Sequence, residues 1–181
     1  MKGMVFTEFL EMVEDKFDAT MVEKIIDDSE LSSNGIYTAV GTYPFQDMAQ
    51  LITHLSKHSG IAVNDLIRTF GLYLFGRLTQ AYPVFLEGID DCFTFLENVH
   101  DFIHVEVKKL YPDAELPSFD CQRSGPNQLI MDYRSPRCLG DLAQGLIEGC
   151  AEHFDQTILI ERHTDPAGGG SQERFILTLG N

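Results

Sequence analysis

Residues 119–133, Phe119-Asp120-Cys121-Gln122-Arg123-Ser124-Gly125-Pro126-Asn127-Gln128-Leu129-Ile130-Met131-Asp132-Tyr133, mark the point where the apolar period changes. Phe119 to Arg123 and Gln128 to Tyr133 flank the turn-forming quartet Ser124-Gly125-Pro126-Asn127, so the stretch reads as a β-hairpin. Upstream of it the pattern is helical. Met1, Met4, Val5, Phe9, Met12 and Val13 recur at helical spacing with acids between them. A second helix is expected over Met21 to Asp28. A third runs from about Phe45 to His58 and stops at Gly60, a natural C-terminal cap. Asn64 reads as the N-cap of a fourth, Asp65 to about Ala81, closed by Pro83. That helix carries Leu66, Ile67, Phe70, Leu72, Leu74, Phe75 and Leu78 on more than one face, which predicts a central position. A fifth is expected from about Ile89 to Leu110, ending at Tyr111-Pro112.

Downstream, Leu139 to Phe154 is helical. Thr157 to His163 and Arg174 to Leu179 form a second hairpin around Ala167-Gly168-Gly169-Gly170-Ser171. The expected class is therefore α+β: a helical N-terminal lobe, and a C-terminal lobe with helices and a roughly four-stranded antiparallel sheet. With 181 residues, the chain suits one domain, 1–181, divided into lobes of about 1–62 and about 63–181. A cleft between two lobes is a common place for a ligand.

Lys plus Arg is 13 and Asp plus Glu is 28, a formal net charge of −15, which argues against nucleic acid or an anionic membrane as partner. The hydrophobic fraction of 44% is in the globular range. No apolar run approaches the roughly 18 residues that a membrane-spanning helix needs. Acids inside the first apolar pattern argue against a signal peptide. Cys92, Cys121, Cys138 and Cys150 are far apart with no C-x-x-C, which fits a reducing cytoplasm.

Two constellations have chemical potential. The first is His100-Asp101-Phe102-Ile103-His104. Positions i and i+4 share a helix face, so both imidazoles can meet one metal. The pattern resembles the zincin H-E-x-x-H with Asp in place of the basic Glu and no third ligand at an obvious spacing, so a zinc-dependent hydrolase at His100/His104 is one reading. One surface and one packed histidine is the ordinary alternative. His104 also lies among Phe102, Ile103, Val105 and Val107, and a neutral imidazole held on a helix between apolar walls is what a haem iron takes. Thirteen Phe and no Trp offer material for a flat apolar pocket. The second constellation is Tyr133-Arg134-Ser135-Pro136-Arg137. In an extended segment Tyr133, Ser135 and Arg137 point the same way, forming a donor comb for carboxylates or a phosphate. An ordinary strand end with a surface Arg is the alternative.

Taken together, these features resemble the H-NOX family (haem–nitric oxide/oxygen binding), which also supplies the haem domain of soluble guanylate cyclase. The resemblance covers essentially the whole chain. It begins with Met1-Lys2-Gly3 and continues from His104 through Val105-Glu106-Val107-Lys108-Lys109-Leu110-Tyr111-Pro112 to Leu116-Pro117-Ser118-Phe119. It then takes in Tyr133-x-Ser135-x-Arg137 and Gly145-Leu146-Ile147-Glu148-Gly149. The resemblance implies haem b (iron protoporphyrin IX) buried between the lobes and His104, not His100, as the proximal ligand and iron-binding residue. It implies Tyr133, Ser135 and Arg137 on the propionates, and Pro117 against the porphyrin, holding it out of plane.

Family members that hold O₂ use a distal tyrosine on the helix after the propionate motif. Here the corresponding position is Leu142, and the pocket is expected to include Val5, Phe9, Leu74, Leu78 and Leu146, all apolar. Bound O₂ develops negative charge and loses much without a donor, whereas NO and CO depend on one far less. Tyr73, next to Leu74, is the nearest phenol whose placement bears on this. The resemblance thus implies a non-catalytic NO sensor, able to bind CO, that discriminates against O₂. Its signal would come from weakening of the Fe–His104 bond and a shift of the lobes. No output segment follows the second hairpin, so signalling in trans is expected, to a histidine kinase or a diguanylate cyclase/phosphodiesterase. Some members bind zinc near the C-terminal hairpin. Cys138 and His163 fit remnants of such a site, but no cysteine follows His163, and zinc is not expected.

Overall fold

The computed structural model describes residues 1–165 and 170–180. In chain order its elements are helices α1 (Gly3–Lys16), α2 (Ala19–Asp27), α3 (Phe45–Ser59) and α4 (Val63–Ala81), a 3₁₀ turn (Pro83–Leu86), and helix α5 (Cys92–Asn98). A π-helical turn (Val99–Ile103) then leads into α6 (His104–Leu110), strands β1 (Ser118–Arg123) and β2 (Gln128–Arg134), helix α7 (Gly140–His153), and strands β3 (Ile158–Thr164) and β4 (Gln172–Leu179). This is the α+β class read from the sequence. The glycine-rich turn expected at Ala167-Gly168-Gly169-Gly170-Ser171 falls mostly outside the described residues.

Local chemistry explains most helix ends. Asp18 caps α2 by accepting from the Met21 N–H at 2.8 Å. Gly60 closes α3 at φ 72°, a left-handed conformation that costs glycine little. Helix α4 differs from expectation: it starts at Val63 after extended Ala62, and Asn64 lies inside its first turn. The fifth helix also starts later than Ile89. Asp91 caps it, accepting from the Thr94 N–H at 3.0 Å, after a turn at Gly88 with φ 74°. It is not one regular helix either, since the π turn separates α5 from α6. Among the described residues, no helix is long and apolar enough to cross a membrane.

The sheet runs β1-β2-β4-β3, all antiparallel. Tyr133 pairs with Phe119, and Met131 pairs with Cys121 on one side and Phe175 on the other. Alternation puts Leu129, Met131, Tyr133, Phe175 and Leu177 on the buried face, against Ile147 and Cys150 of α7 and Phe93 and Leu96 of α5. Each such side chain contributes on the order of 1.5–3 kcal/mol by burial. A second core gathers Phe6, Phe9, Met12 and Val13 of α1 with Leu51 and Leu55 of α3 and Leu66, Phe70 and Leu74 of α4. Helix α4 belongs to both cores, through Leu74 on one side and Phe75 on the other, and Leu146 packs against both. Helices α4 and α7 touch backbone to backbone. A Cβ on Gly71 would collide with the Leu142 carbonyl, and one on Gly145 with the Arg68 carbonyl.

Candidate functional site

His104 opens α6 directly after the π turn, and its backbone N–H reaches back to the Val99 carbonyl, five residues earlier. A π turn carries one residue more than an α turn and is frequent at functional sites. The His104 ring lies 5.9 Å from the Phe119 ring, which lies 5.5 Å from the Tyr133 ring. The two strands of the first hairpin therefore support the imidazole from one side. On the other side His100 sits edge-to-face at 6.3 Å. Burial, with a smaller push from nearby His100, lowers the His104 pKa to about 4, and a backbone hydrogen bond at Pro117 only partly offsets this. The ring is neutral at pH 7. Its Nδ1, like that of His100, is buried without a hydrogen-bond partner, so each ring keeps a nitrogen that the chain does not engage.

The comb at the end of β2 is built differently from the expected straight segment. The strand stops at Arg134, and Ser135 to Leu139 form a turn with Cys138 at φ 51°. The turn still gathers the three side chains. The Tyr133 hydroxyl is hydrogen-bonded to Ser135 and accepts from the Leu139 N–H at 3.1 Å. Ser135 Oγ accepts from the Arg137 N–H at 3.2 Å. Tyr133 and Ser135 are buried. The Arg137 guanidinium already holds a carboxylate: it donates to Glu115 Oε2 at 2.5 Å and to the Glu115 carbonyl at 3.2 Å. The set thus has the chemistry that a dicarboxylate ligand needs.

The six expected pocket residues lie in one cluster. Phe9 and Leu74 are buried, and Val5, Leu78, Leu142 and Leu146 pack against them. Phe9 meets Phe70 edge-to-face at 5.3 Å. The start of α7, which carries Leu142 and Leu146, is fixed to the sheet by Arg162, which bridges Asp141 and buried Glu173. Three tyrosines border the cluster, and each hydroxyl is engaged elsewhere. Tyr37 faces Asp47 at 3.4 Å, Tyr43 accepts from the Thr38 N–H at 2.9 Å, and Tyr73 donates to Asp15 at 3.1 Å. Burial first, then the bond to Asp15, pushes the Tyr73 phenol up to about 12.

Among the described residues, no three or more His, Cys, Asp or Glu side chains gather as a metal-binding group. Cys138 and His163 are both exposed. Sequence reading missed Glu115, the partner of Arg137, and the supporting role of Phe119. An exposed acid carries no local signal of its partner, whereas Phe119 stood two residues from Pro117.

An apolar cluster, a buried neutral imidazole with an unpaired nitrogen, and a carboxylate-holding turn make a fitting set for a haem: apolar walls, one axial nitrogen, and donors for two propionates. The comparisons agree. The family model described as "Haem-NO-binding" matches residues 2–162. The unliganded Fe(II) H-NOX protein from K. algicida superposes with a TM-score of 0.94 at 40% identity, covering 100% of this chain and 97% of that one. The H-NOX protein from S. oneidensis in the Fe(II)NO state gives 0.92 at 28% identity, with both chains covered completely. The Fe(II)CO H-NOX from Shewanella woodyi gives 0.85 at 40% identity, covering 99% and 95%. Comparison with curated proteins finds no match. Both the match over nearly the full length and the likeness of fold say the same thing: this chain belongs to the haem-NO-binding, or H-NOX, family.

Proposed function

We propose that the protein is a haem-based NO sensor, able to bind CO, that discriminates against O₂ and signals to a partner in trans. Haem bound here would supply a ferrous iron able to take a diatomic gas. The chain's own residues do the rest. His104 would ligate the iron, and because its imidazole is neutral at pH 7, no proton would have to leave first. Tyr133, Ser135 and Arg137 hold the propionates, and the Arg137 guanidinium exchanges one carboxylate, that of Glu115, for another. Pro117 would pack against the haem. Val5, Phe9, Leu74, Leu78, Leu142 and Leu146 form the gas-side wall and exclude water.

The observation that carries the gas selectivity is the absence of a donor along this wall. The six side chains are apolar, Tyr37 and Tyr73 donate their hydroxyls to Asp47 and Asp15, and the Tyr43 hydroxyl lies against Thr38. The switch is His104 itself. Release of His104 would free α6 and the 111–117 segment to shift, and the proximal lobe (about 63–181) would then turn against the distal one (about 1–62). The recipient is a histidine kinase or a diguanylate cyclase/phosphodiesterase in the cytoplasm. A net charge of −15 favours a basic docking patch on that recipient. The protein itself catalyses no reaction.

Absorption spectra of the ferrous protein under argon, air, CO and NO test the reading. A Soret band that shifts with NO and CO but not with air is expected. A stable oxygenated spectrum in air defeats the selectivity, and a colourless zinc-loaded protein returns the His100/His104 hydrolase. In Leu142→Tyr the lifetime of the oxygenated form should lengthen, because a phenol then faces the gas.

A further inference from the structure

The first residues of the chain meet the segment that follows α6. Met1 and Lys2 are strapped to the 38–43 loop. The Met1 amine donates to the Tyr43 carbonyl at 2.7 Å, the Tyr43 N–H to the Met1 carbonyl at 2.9 Å, and the Gly3 N–H to the Gly41 carbonyl at 2.8 Å. Lys2 and Thr42 also pair as an isolated antiparallel bridge. The rings of Tyr37 and Tyr43 pack on Phe6, so this strap is part of the helical core. Gly3 permits it, since a Cβ there would run into the Thr38 carbonyl.

From this fixed base Lys2 reaches across the molecule. Its Nζ lies 2.8 Å from Thr42 Oγ1, 3.1 Å from Asp113 Oδ1, and 5.1 Å from the centre of the Tyr111 ring. The Thr42 hydroxyl donates to Asp113 Oδ2 at 2.8 Å. Asp113 thus receives two donors from the N-terminal strap. These bonds, that from Thr42 first, hold its carboxyl below the usual carboxylate range. Asp113 sits between the end of α6, which starts at His104, and Pro117. Two residues further on, Glu115 is held by Arg137. Any movement of this segment away from the helical core breaks two bonds to one side chain.

We infer that Asp113 is a positioning residue: clasped by Lys2 and Thr42, it ties the 111–117 segment to the N-terminal strap and sets how readily His104 leaves its axial position. This rests on the sensor reading above. The clasp is partly exposed, with side-chain exposures of 16% for Lys2 and 57% for Asp113, and such pairs contribute little to global stability. Its effect is therefore on geometry rather than on folding.

The test uses the full haem-loaded ferrous chain and NO as the probe. The variants are Asp113→Asn, Thr42→Val, Lys2→Glu, Asp113→Lys, and the charge-swapped pair of the last two. Two readouts apply: the Fe–His stretching band by resonance Raman, and the rate at which the Soret band passes from the six- to the five-coordinate form after mixing. Asp113→Asn, Asp113→Lys and Lys2→Glu should each speed that passage by about threefold, and Thr42→Val by less. The swapped pair should return towards the parent rate, with unfolding temperatures near the parent's throughout. Equal rates in all variants overturn the inference, as does a swapped pair no slower than its singles. Thr42→Val removes only one hydroxyl and keeps the test open if a charge variant fails to fold. A parent that shows no Soret response to NO overturns the sensor reading and the clasp together; a responsive parent with unresponsive variants overturns the clasp alone.

Discussion

The wall around Leu142 and the segment around His104 are held by different forces. Along the wall, α1, α4 and α7 close by burial. Phe9 and Phe70 are almost wholly removed from solvent, and the backbones of α4 and α7 meet at Gly71 and Gly145. Around His104 the chain is a seven-residue helix, a π turn and a loop, tied by the pair Lys2–Asp113 and, while Arg137 holds no other carboxylate, by Arg137–Glu115. Apolar burial is strong and non-directional, while partly exposed ion pairs are weak, directional and exchangeable. A sensor needs one side that keeps its shape and one that rearranges for a small difference in free energy. Under the proposed sensor reading, the wall around Leu142 would take the first task and the segment around His104 the second.

The largest expected effect breaks the yielding side at its centre. His104→Gly should be purified without a stable Soret band unless imidazole is supplied; normal haem retention without imidazole removes His104 from the axial role. Next comes the rigid side. Phe70→Ala should cost about 3–5 kcal/mol in urea unfolding, as large-to-small core changes do. A loss under about 1 kcal/mol would mean that the wall is not close-packed.

Third is pH. The pKa of His104 is lowered to about 4 in the folded chain, from about 6.5 unfolded, so the unfolded chain binds more protons between these values. This contribution is fully present above about pH 6.5 and fades as pH falls towards 4, an expected loss of up to about 3 kcal/mol in the haem-free protein. His104→Leu should flatten the profile over that window, and an unchanged slope would contradict a buried neutral imidazole. The smallest effect is expected at the surface of the yielding side. Phe102 is 48% exposed, and Phe102→Ala should stay within about 0.5 kcal/mol. A larger loss would show that this region is packed as tightly as the wall.

What could be read from the chain follows the range of the interactions. The hairpin at residues 124–127 and the cap at Gly60 were legible because the residues needed for turning lie at the turn itself. Asn64 misled for the same reason: asparagine favours caps, but here extended Ala62 starts the helix two residues earlier. Even spacing led to Tyr133, Ser135 and Arg137 although the strand ends at Arg134, because a turn can gather side chains that a strand would merely align. The π turn was not legible, since one surplus residue hardly alters an apolar period over five positions. The partners of Arg137 and Lys2 were out of reach as well. Glu115 and Asp113 lie 22 and 111 residues away along the chain, and no local rule connects them.

The π turn also lets the chain carry one residue more ahead of His104 without losing the register of the helix. An α-helix advances about 100° per residue. The five residues of the π turn sweep about the same rotation as four residues of an α-helix, so deleting one residue from positions 99–103 would regularise the helix and leave the imidazole facing nearly as it does now. Such a deletion would keep the direction of the histidine and remove only the slack in backbone hydrogen bonding just ahead of it.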